Sequence, residues 1–219
     1  MDQLHVFVSV GGTASAAQEA FISAVEDRLK SEGMIPHTIG RNTFSTDAPL
    51  KAVTNLMNTC SGTVVIALER TYFPSGIDKR GGPKESPLAN VILPTPWNQI
   101  EAAMAYSKGH PLMVIVEEGL KSEGLLEKGY DWYVQSVRLT PASLATPEFN
   151  GVLASWKEQV SARKVDASNT PVPQAPKAAT DMTIGELVSG MRPSQLWSLL
   201  GTLAALVAGA FALGAKLIK

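Results

Sequence analysis

The run Thr-Val-Val-Ile-Ala-Leu at 63–68 is too short for a buried helix, and it lacks the alternation of a strand with one face in water. A continuous apolar run of this length reads as a strand covered on both faces, the signature of a parallel sheet with helices on either side. Leu-Met-Val-Ile-Val at 112–116 repeats the pattern. Leu4 to Val10 is β-branched and aromatic enough for another strand, running into Gly11-Gly12-Thr13. Ser15 and Gln18 then form a capping box that opens a helix to about Lys30, with Ala17, Phe21, Val25 and Leu29 along one side. Gly33 ends that helix, Met34 to Ile39 is a short strand, and Asp47 and Pro49 open a second helix. Its apolar positions are Leu50, Val53, Leu56, Met57 and Cys60. No convincing element is legible between 69 and 96, and a loop of that length in a compact domain is functional or mobile. A helix from Asn98 to Ser107, an edge strand at 132–137 and a final helix carrying Phe149, Val152, Leu153, Trp156 and Val160 complete the pattern. The order of elements predicts an α/β domain, a flavodoxin-like parallel sheet flanked by helices over residues 1–163.

The chain has 219 residues, 45% of them hydrophobic, enough for one sizeable core and incompatible with wholesale disorder. Lys and Arg number 19 against 20 Asp and Glu, so nothing in the overall charge calls for nucleic acid. A single cysteine, Cys60, cannot form an internal disulfide, and His5, His37 and His110 have no metal-ligand spacing. A reducing compartment and a protein without metal are expected. Walker A, complete GxGxxG and nucleophile-elbow GxSxG patterns are absent.

The other end of the chain reads differently. Residues 193–215 form an uncharged run of 23 residues between Arg192 and Lys216. At about 1.5 Å per residue such a helix spans roughly 34 Å, enough for a hydrocarbon core of about 30 Å. With Trp197 near one boundary and Lys216 and Lys219 at the other, the expectation is a single transmembrane helix over 193–219. The domain would then stay on the cytoplasmic side in the manner of a tail anchor, with the lipid bilayer as a partner. Gly201, Ala205 and Gly209 recur at intervals of four, a seam that suits homo-oligomers in the membrane. Residues 164–192, with Pro171, Pro173 and Pro176, read as a linker, and Thr183 and Glu186 mark the start of a short juxtamembrane helix.

In open parallel sheets ligands bind at the carboxyl ends of the strands. That rule selects the turn after Ser9, the residues around Arg41, those around Arg70, and the start of the helix bearing Trp97. Glu101 is the one carboxylate of that helix. With the helix starting near Asn98, Glu101 falls in the first turn, where the dipole favours its anion. Trp97, one turn earlier, would stack a planar base beside it. Ordinary helix-start chemistry accounts for the same pair. Gly11, Gly12, Thr13 and Ser15 would offer donors to a phosphate at a helix N-terminus, and a tight βα turn uses the same residues equally well. Arg41 and Arg70 follow two strands and would clamp phosphate, or stand as solvated loop residues.

The strand VFVSV leading into a helix, the buried strand TVVIAL and the stretch PWNQIEAAMAYSKGHPLMVIV resemble the TIR (Toll/interleukin-1 receptor) and nucleoside 2-deoxyribosyltransferase-like group. The resemblance rests on Trp97, Glu101 and the Gly109-His110-Pro111 turn, with Asn98 standing where the TIR pattern W-C-x-x-E has cysteine. It implies cleavage of an N-glycosidic bond with Glu101 as the catalytic carboxylate, stabilising or attacking an oxocarbenium-like ribose. NAD or another nucleotide or nucleoside would be substrate or ligand, with no separate cofactor and a role in signalling or defence. A competing expectation is a non-catalytic nucleotide sensor whose membrane helices carry the output.

Overall fold

The computed structural model of the chain describes residues 4–169, with side-chain surroundings through residue 163. The membrane span expected at 193–215 and nearly all of the expected linker lie outside these residues. Among the described residues no helix is long and apolar enough to cross a membrane.

Five strands form one parallel sheet: β1 (Leu4–Val10), β2 (Met34–His37), β3 (Gly62–Ala67), β6 (Leu112–Glu117) and β7 (Tyr133–Val137), in the order β2-β1-β3-β6-β7. With the separate hairpin strands β4 (Thr71–Asp78) and β5 (Ser86–Leu93) set aside this is the flavodoxin-like order, with its switch point between β1 and β3. The register pairs Val8 with Val64 and Val64 with Met113, so each apolar run lies beside another across the centre of the sheet. Period-two alternation divides these strands between two cores. Val6, Val8, Val64, Ile66, Met113 and Ile115 pack under helices α1 (Ala16–Ser31) and α4 (Pro147–Asn169). Phe7, Val65, Ala67, Val114 and Val116 face α2 (Pro49–Met57) and α3 (Pro96–Ser107). The continuous apolar character of 63–68 thus has its expected cause, since every residue of β3 is buried.

Local signals set the helix starts. Ser15 caps α1, its Oγ accepting from the Gln18 N–H at 3.2 Å. The Gln18 side chain accepts from Ala14 N–H at 2.7 Å and donates to the Glu69 carbonyl at 2.9 Å, so this cap also ties α1 to the end of β3. Gln18 occupies the buried position for which the apolar spacing nominated Ala17, which is exposed.

Two expectations are corrected. The stretch 69–96 is no loop: it holds an antiparallel hairpin of β4 (Thr71–Asp78) and β5 (Ser86–Leu93). Both strands are largely exposed, and they carry Pro74, Gly76 and Pro87, so no core-facing alternation marks them. Lys79 and Gly81 turn the chain at positive φ, 50° and 77°. The second correction concerns α3, which begins at Pro96 with Thr95 as N-cap, not near Asn98. Proline at the first helical position lacks only an N–H that has no helical partner there. Glu101 therefore sits in the second turn, and the first turn of α3 holds no acidic residue. At its other end, α4 continues to Asn169, into the stretch expected as linker.

Candidate functional site

A cleft of about 300 Å³ opens at the carboxyl ends of β1 and β3, walled by Gly11 and Gly12 after β1, Val53 of α2, Arg70 before β4, and Trp97 and Glu101 of α3. A smaller polar recess shares Gly11, Gly12, Arg70 and Thr95 with it and adds Leu68, Glu69 and Asn98. Five residues nominated from the sequence, Gly11, Gly12, Arg70, Trp97 and Glu101, thus share one concavity. Gly11 is required there by close approach: a Cβ on it would lie 2.9 Å from Thr95 Cγ2, so the β1 turn and the α3 cap meet only through glycine.

Glu101 is half-buried, and burial pushes its carboxyl up to about 7, against a favourable contribution from the Ser9 hydroxyl beside it. The expectation of a dipole-stabilised anion is overturned, because the second turn lies beyond the region where the helix terminus acts strongly. Desolvation outweighs the one donor. A consequence for stability follows. The folded state keeps a proton that the unfolded chain releases near 4.5, so the stability linked to Glu101 is fully present below about 4.5 and is lost as pH rises through about 7. The Glu101→Gln variant is therefore expected to gain stability relative to the native protein between pH 4.5 and pH 8, by on the order of 3 kcal/mol. Urea unfolding of both proteins at the two pH values measures it, and a pH-independent difference would place the carboxyl in solvent.

Ser9, fully buried on β1, lies beneath the cleft rather than in its wall. The Asn98 side-chain amide donates to its Oγ at 3.2 Å. Trp97 is 40% exposed and lines the cleft. Arg70 is exposed, and its Nη1 donates to the Gly12 carbonyl at 3.4 Å.

Arg41 and Thr13 are not among the residues lining this cleft. Arg41 donates to both Glu19 oxygens, at 2.7 and 2.9 Å, and its Nε reaches Glu26 at 3.4 Å, which locks it onto α1. The Thr13 hydroxyl donates to Glu19 at 3.0 Å. Glu19 is held below the usual carboxylate range, first by its hydrogen bonds from Arg41 and then by Thr13. A lone arginine in a sequence carries no indication of which carboxylates the fold will place against it.

The tertiary structure also assembles a pair that spacing did not reveal. His5 Nδ1 and His37 Nε2 lie 2.8 Å apart with their rings stacked, because β1 and β2 are neighbours. Burial and the neighbouring His5 hold His37 below the ordinary imidazole value. Among the described residues no group of three metal-ligating side chains comes together. His110 is buried against Thr63 at 3.0 Å and pushed down to about 4 by burial and by Arg163 and Lys108, and burial pushes the Cys60 thiol up to about 11. Both are packing residues. A larger concavity, about 580 Å³, opens at the opposite end of the sheet among Tyr106, Tyr130, Trp132 and Trp156. The rule for parallel sheets favours the smaller cleft, where the carboxyl strand ends, a titratable carboxyl and a cation converge.

No family model matches the chain, and no curated protein matches it. Among solved structures it is similar to the CMP N-glycosidase BcmB of Clostridium botulinum, with 17% identity over 52% of this chain and 72% of that one and a TM-score of 0.30. It is also similar to the TIR domains of the activated Roq1 resistosome that recognises the pathogen effector XopQ, with 13% identity over 74% of this chain and 83% of that one and a TM-score of 0.34.

Proposed function

We propose that this chain is a membrane-anchored nucleotide-processing domain that cleaves the N-glycosidic bond of NAD or a related nucleotide or nucleoside, with Glu101 as the catalytic carboxylate. The observation that carries the reading is the environment of Glu101. A carboxyl pushed up to about 7 lines a cleft together with a partly exposed tryptophan and an arginine. A titratable group shifted by desolvation inside a cleft is a candidate functional residue with a stated physical rationale. A cleft of about 300 Å³ lies at the small end of ligand pockets and suits a nucleoside-sized group with its phosphates toward the mouth.

The division of labour follows from the chemistry of the walls. Trp97 stacks the base, Arg70 pairs with phosphate, and the Gly11-Gly12 turn lets backbone approach the sugar. As the bond from C1′ to the base nitrogen breaks, its electron pair leaves with the base and positive charge develops on the ribose. Ionised Glu101 stabilises that charge or attacks C1′, and water completes hydrolysis. The nicotinamide of NAD departs as a neutral base and needs no proton, which suits a site with one carboxylate. Residues 193–215 anchor the domain to the bilayer with its N-terminal part in the cytoplasm, the residues after helix α4, 170–192, act as tether, and homo-oligomers form through the small-residue seam.

A second reading is favoured by the same titration. A carboxyl whose ionisation burial has pushed up to about 7 also suits hydrogen bonding to a bound base without chemistry, so that the domain senses a nucleotide and the membrane segment carries the output. Mass spectrometry separates the two: full-length protein in liposomes is incubated with NAD and common nucleosides. Release of a free base supports the enzyme; one nucleotide retained intact on the protein supports the sensor.

A further inference from the structure

Five aromatic side chains border the larger concavity at the amino ends of β6 and β7. Tyr106 comes from α3, Tyr130 and Trp132 from the loop before β7, Tyr133 from β7 itself and Trp156 from α4. Trp132 stacks on Tyr130 with ring centroids 4.7 Å apart and meets Tyr106 edge-on at 5.3 Å. Tyr130, Tyr106 and Tyr133 are 57%, 48% and 38% exposed, so this aromatic surface is held at the wall of the cavity rather than in a core. At about 580 Å³ the cavity falls within the range of small-molecule sites and holds a whole small molecule rather than one side chain of a partner.

The hydrogen-bonding character of this wall is one-sided. Trp132 Nε1 donates to the Leu125 carbonyl at 2.9 Å, and Trp156 Nε1 to the Pro111 carbonyl at 3.0 Å. The Tyr106 hydroxyl donates to Asp131 at 3.2 Å, that of Tyr133 to Glu148 at 2.7 Å and that of Tyr130 to Glu127 at 3.5 Å. The carboxylates hold Tyr106 and Tyr133 above the ordinary tyrosine value, so both remain protonated. Every aromatic donor is thus engaged within the protein, and the tyrosine oxygens and Asp131 have only acceptors to offer a ligand. Ser155 and Gln159 of α4 supply either kind. Asp131 is the one formal charge on the wall, because the imidazole of His110 is pushed down to about 4 by burial and stays neutral. The cations beside His110 are engaged elsewhere: Lys108 donates to Asn58 at 2.7 Å and Arg163 to the Gly109 carbonyl at 2.6 Å, and neither lines the cavity. A phosphate would meet no cation there, whereas aromatic rings and a carboxylate both attract positive charge. Leu112, Met113 and Val152 add an apolar lining for a hydrophobic stem. We propose that this cavity is a second ligand site, separate from the Glu101 cleft, and that it takes a small arylalkyl ammonium ion, the ring among the aromatic side chains and the N–H donors on Asp131 and the tyrosine oxygens. The inference does not rest on the N-glycosidic reading.

Three probes of one shape and different charge test it: phenethylammonium, neutral 2-phenylethanol and anionic phenylacetate. Each is titrated into full-length protein in maltoside micelles while the tryptophan indole N–H resonances are followed by nitrogen-15 NMR, with Trp97→Phe, Trp132→Phe and Trp156→Phe supplying the assignment. Phenethylammonium is expected to shift the Trp132 and Trp156 resonances saturably, with a Kd of about 1 mM or below, and to leave Trp97 unmoved. The alcohol is expected to bind about tenfold more weakly, and phenylacetate not to saturate at about ten times the concentration. Asp131→Asn and Tyr130→Ala are each expected to raise the Kd for phenethylammonium about fivefold. Both residues are exposed, so these variants keep the fold, and an unchanged Trp97 resonance verifies it. No saturable shift with phenethylammonium, a response at Trp97 instead of Trp132 and Trp156, phenylacetate binding as tightly as the ammonium ion, or an unchanged Kd in either variant would overturn the proposal. Base release at the opposite end of the sheet is a separate measurement, so failure of one reading leaves the other standing.

Discussion

Replacing Glu101 by glutamine is expected to lower the rate of base release by about 10³-fold or more while leaving the fold and the affinity for nucleotide close to native. The two side chains have the same shape, and the amide removes only the charge that the developing oxocarbenium ion needs. The substitution relieves a carboxyl that burial already disfavours as an anion, so unfolding is not an expected explanation for lost turnover. The native pH profile supplies the companion result. If the anion is the working form, kcat/KM rises with pH and levels off above about 7, where Glu101 ionises. Unchanged turnover in Glu101→Gln would remove Glu101 from the mechanism. A rate that falls across the same range would assign it as the proton donor to a leaving base instead.

Trp156→Ala is expected to destabilise the domain by about 3–5 kcal/mol, the usual range for truncating a buried aromatic residue. Trp156 is 4% exposed in the core under α1 and α4, and its Nε1 donates to the Pro111 carbonyl at 3.0 Å. That carbonyl keeps a second donor, the Thr63 N–H at 3.0 Å, so the loss is one of packing rather than of an orphaned acceptor. The surface it covers is close-fitted. A Cβ on Gly62 would lie 3.1 Å from Trp156 Cζ2 and 2.5 Å from Val160 Cγ2, so α4 sits on β3 at a separation only glycine allows. Trp156 also borders the large concavity at the amino ends of β6 and β7, and water entering there holds the effect toward the lower end of the range. For a domain of this size the melting temperature should fall by roughly 10 °C. A loss below about 1 kcal/mol would mean that α4 contributes little to the core.

The elements with a face in the core were legible because burial writes a period into the sequence. Val64 to Ala67 and Leu112 to Val116 are apolar on both sides because α1 and α4 cover one face of the sheet and α2 and α3 the other. Phe149, Leu153, Trp156 and Val160 follow the helical period for the same reason. The β4–β5 hairpin was missed because most of it is exposed and only the end of β5 is partly covered, so Tyr72, Phe73 and Ile77 stand in solvent with no pattern to mark the strands. The start of α3 was displaced because Thr95-Pro96, a threonine cap before a first-turn proline, was passed over for Asn98.

In the candidate site, Glu101, Trp97, Arg70 and the Gly11-Gly12 turn were legible from their positions at strand ends and in one helix, since topology alone brings the carboxyl ends of neighbouring parallel strands together. Arg41 was equally well placed in the sequence, but Glu19 and Glu26 reach it across α1 and hold it there. Asn98 appeared only as a departure from a pattern. Its hydrogen bonds reach Ser9 and Ile66, which lie 89 and 32 residues away. The chain by itself determined which segments must be buried and therefore the parallel sheet, because local hydrophobic spacing is a property of consecutive residues. Only the tertiary structure decided the protonation of Glu101 and the partners of Arg41 and Asn98, because desolvation and hydrogen bonding depend on distances between residues that the sequence keeps far apart.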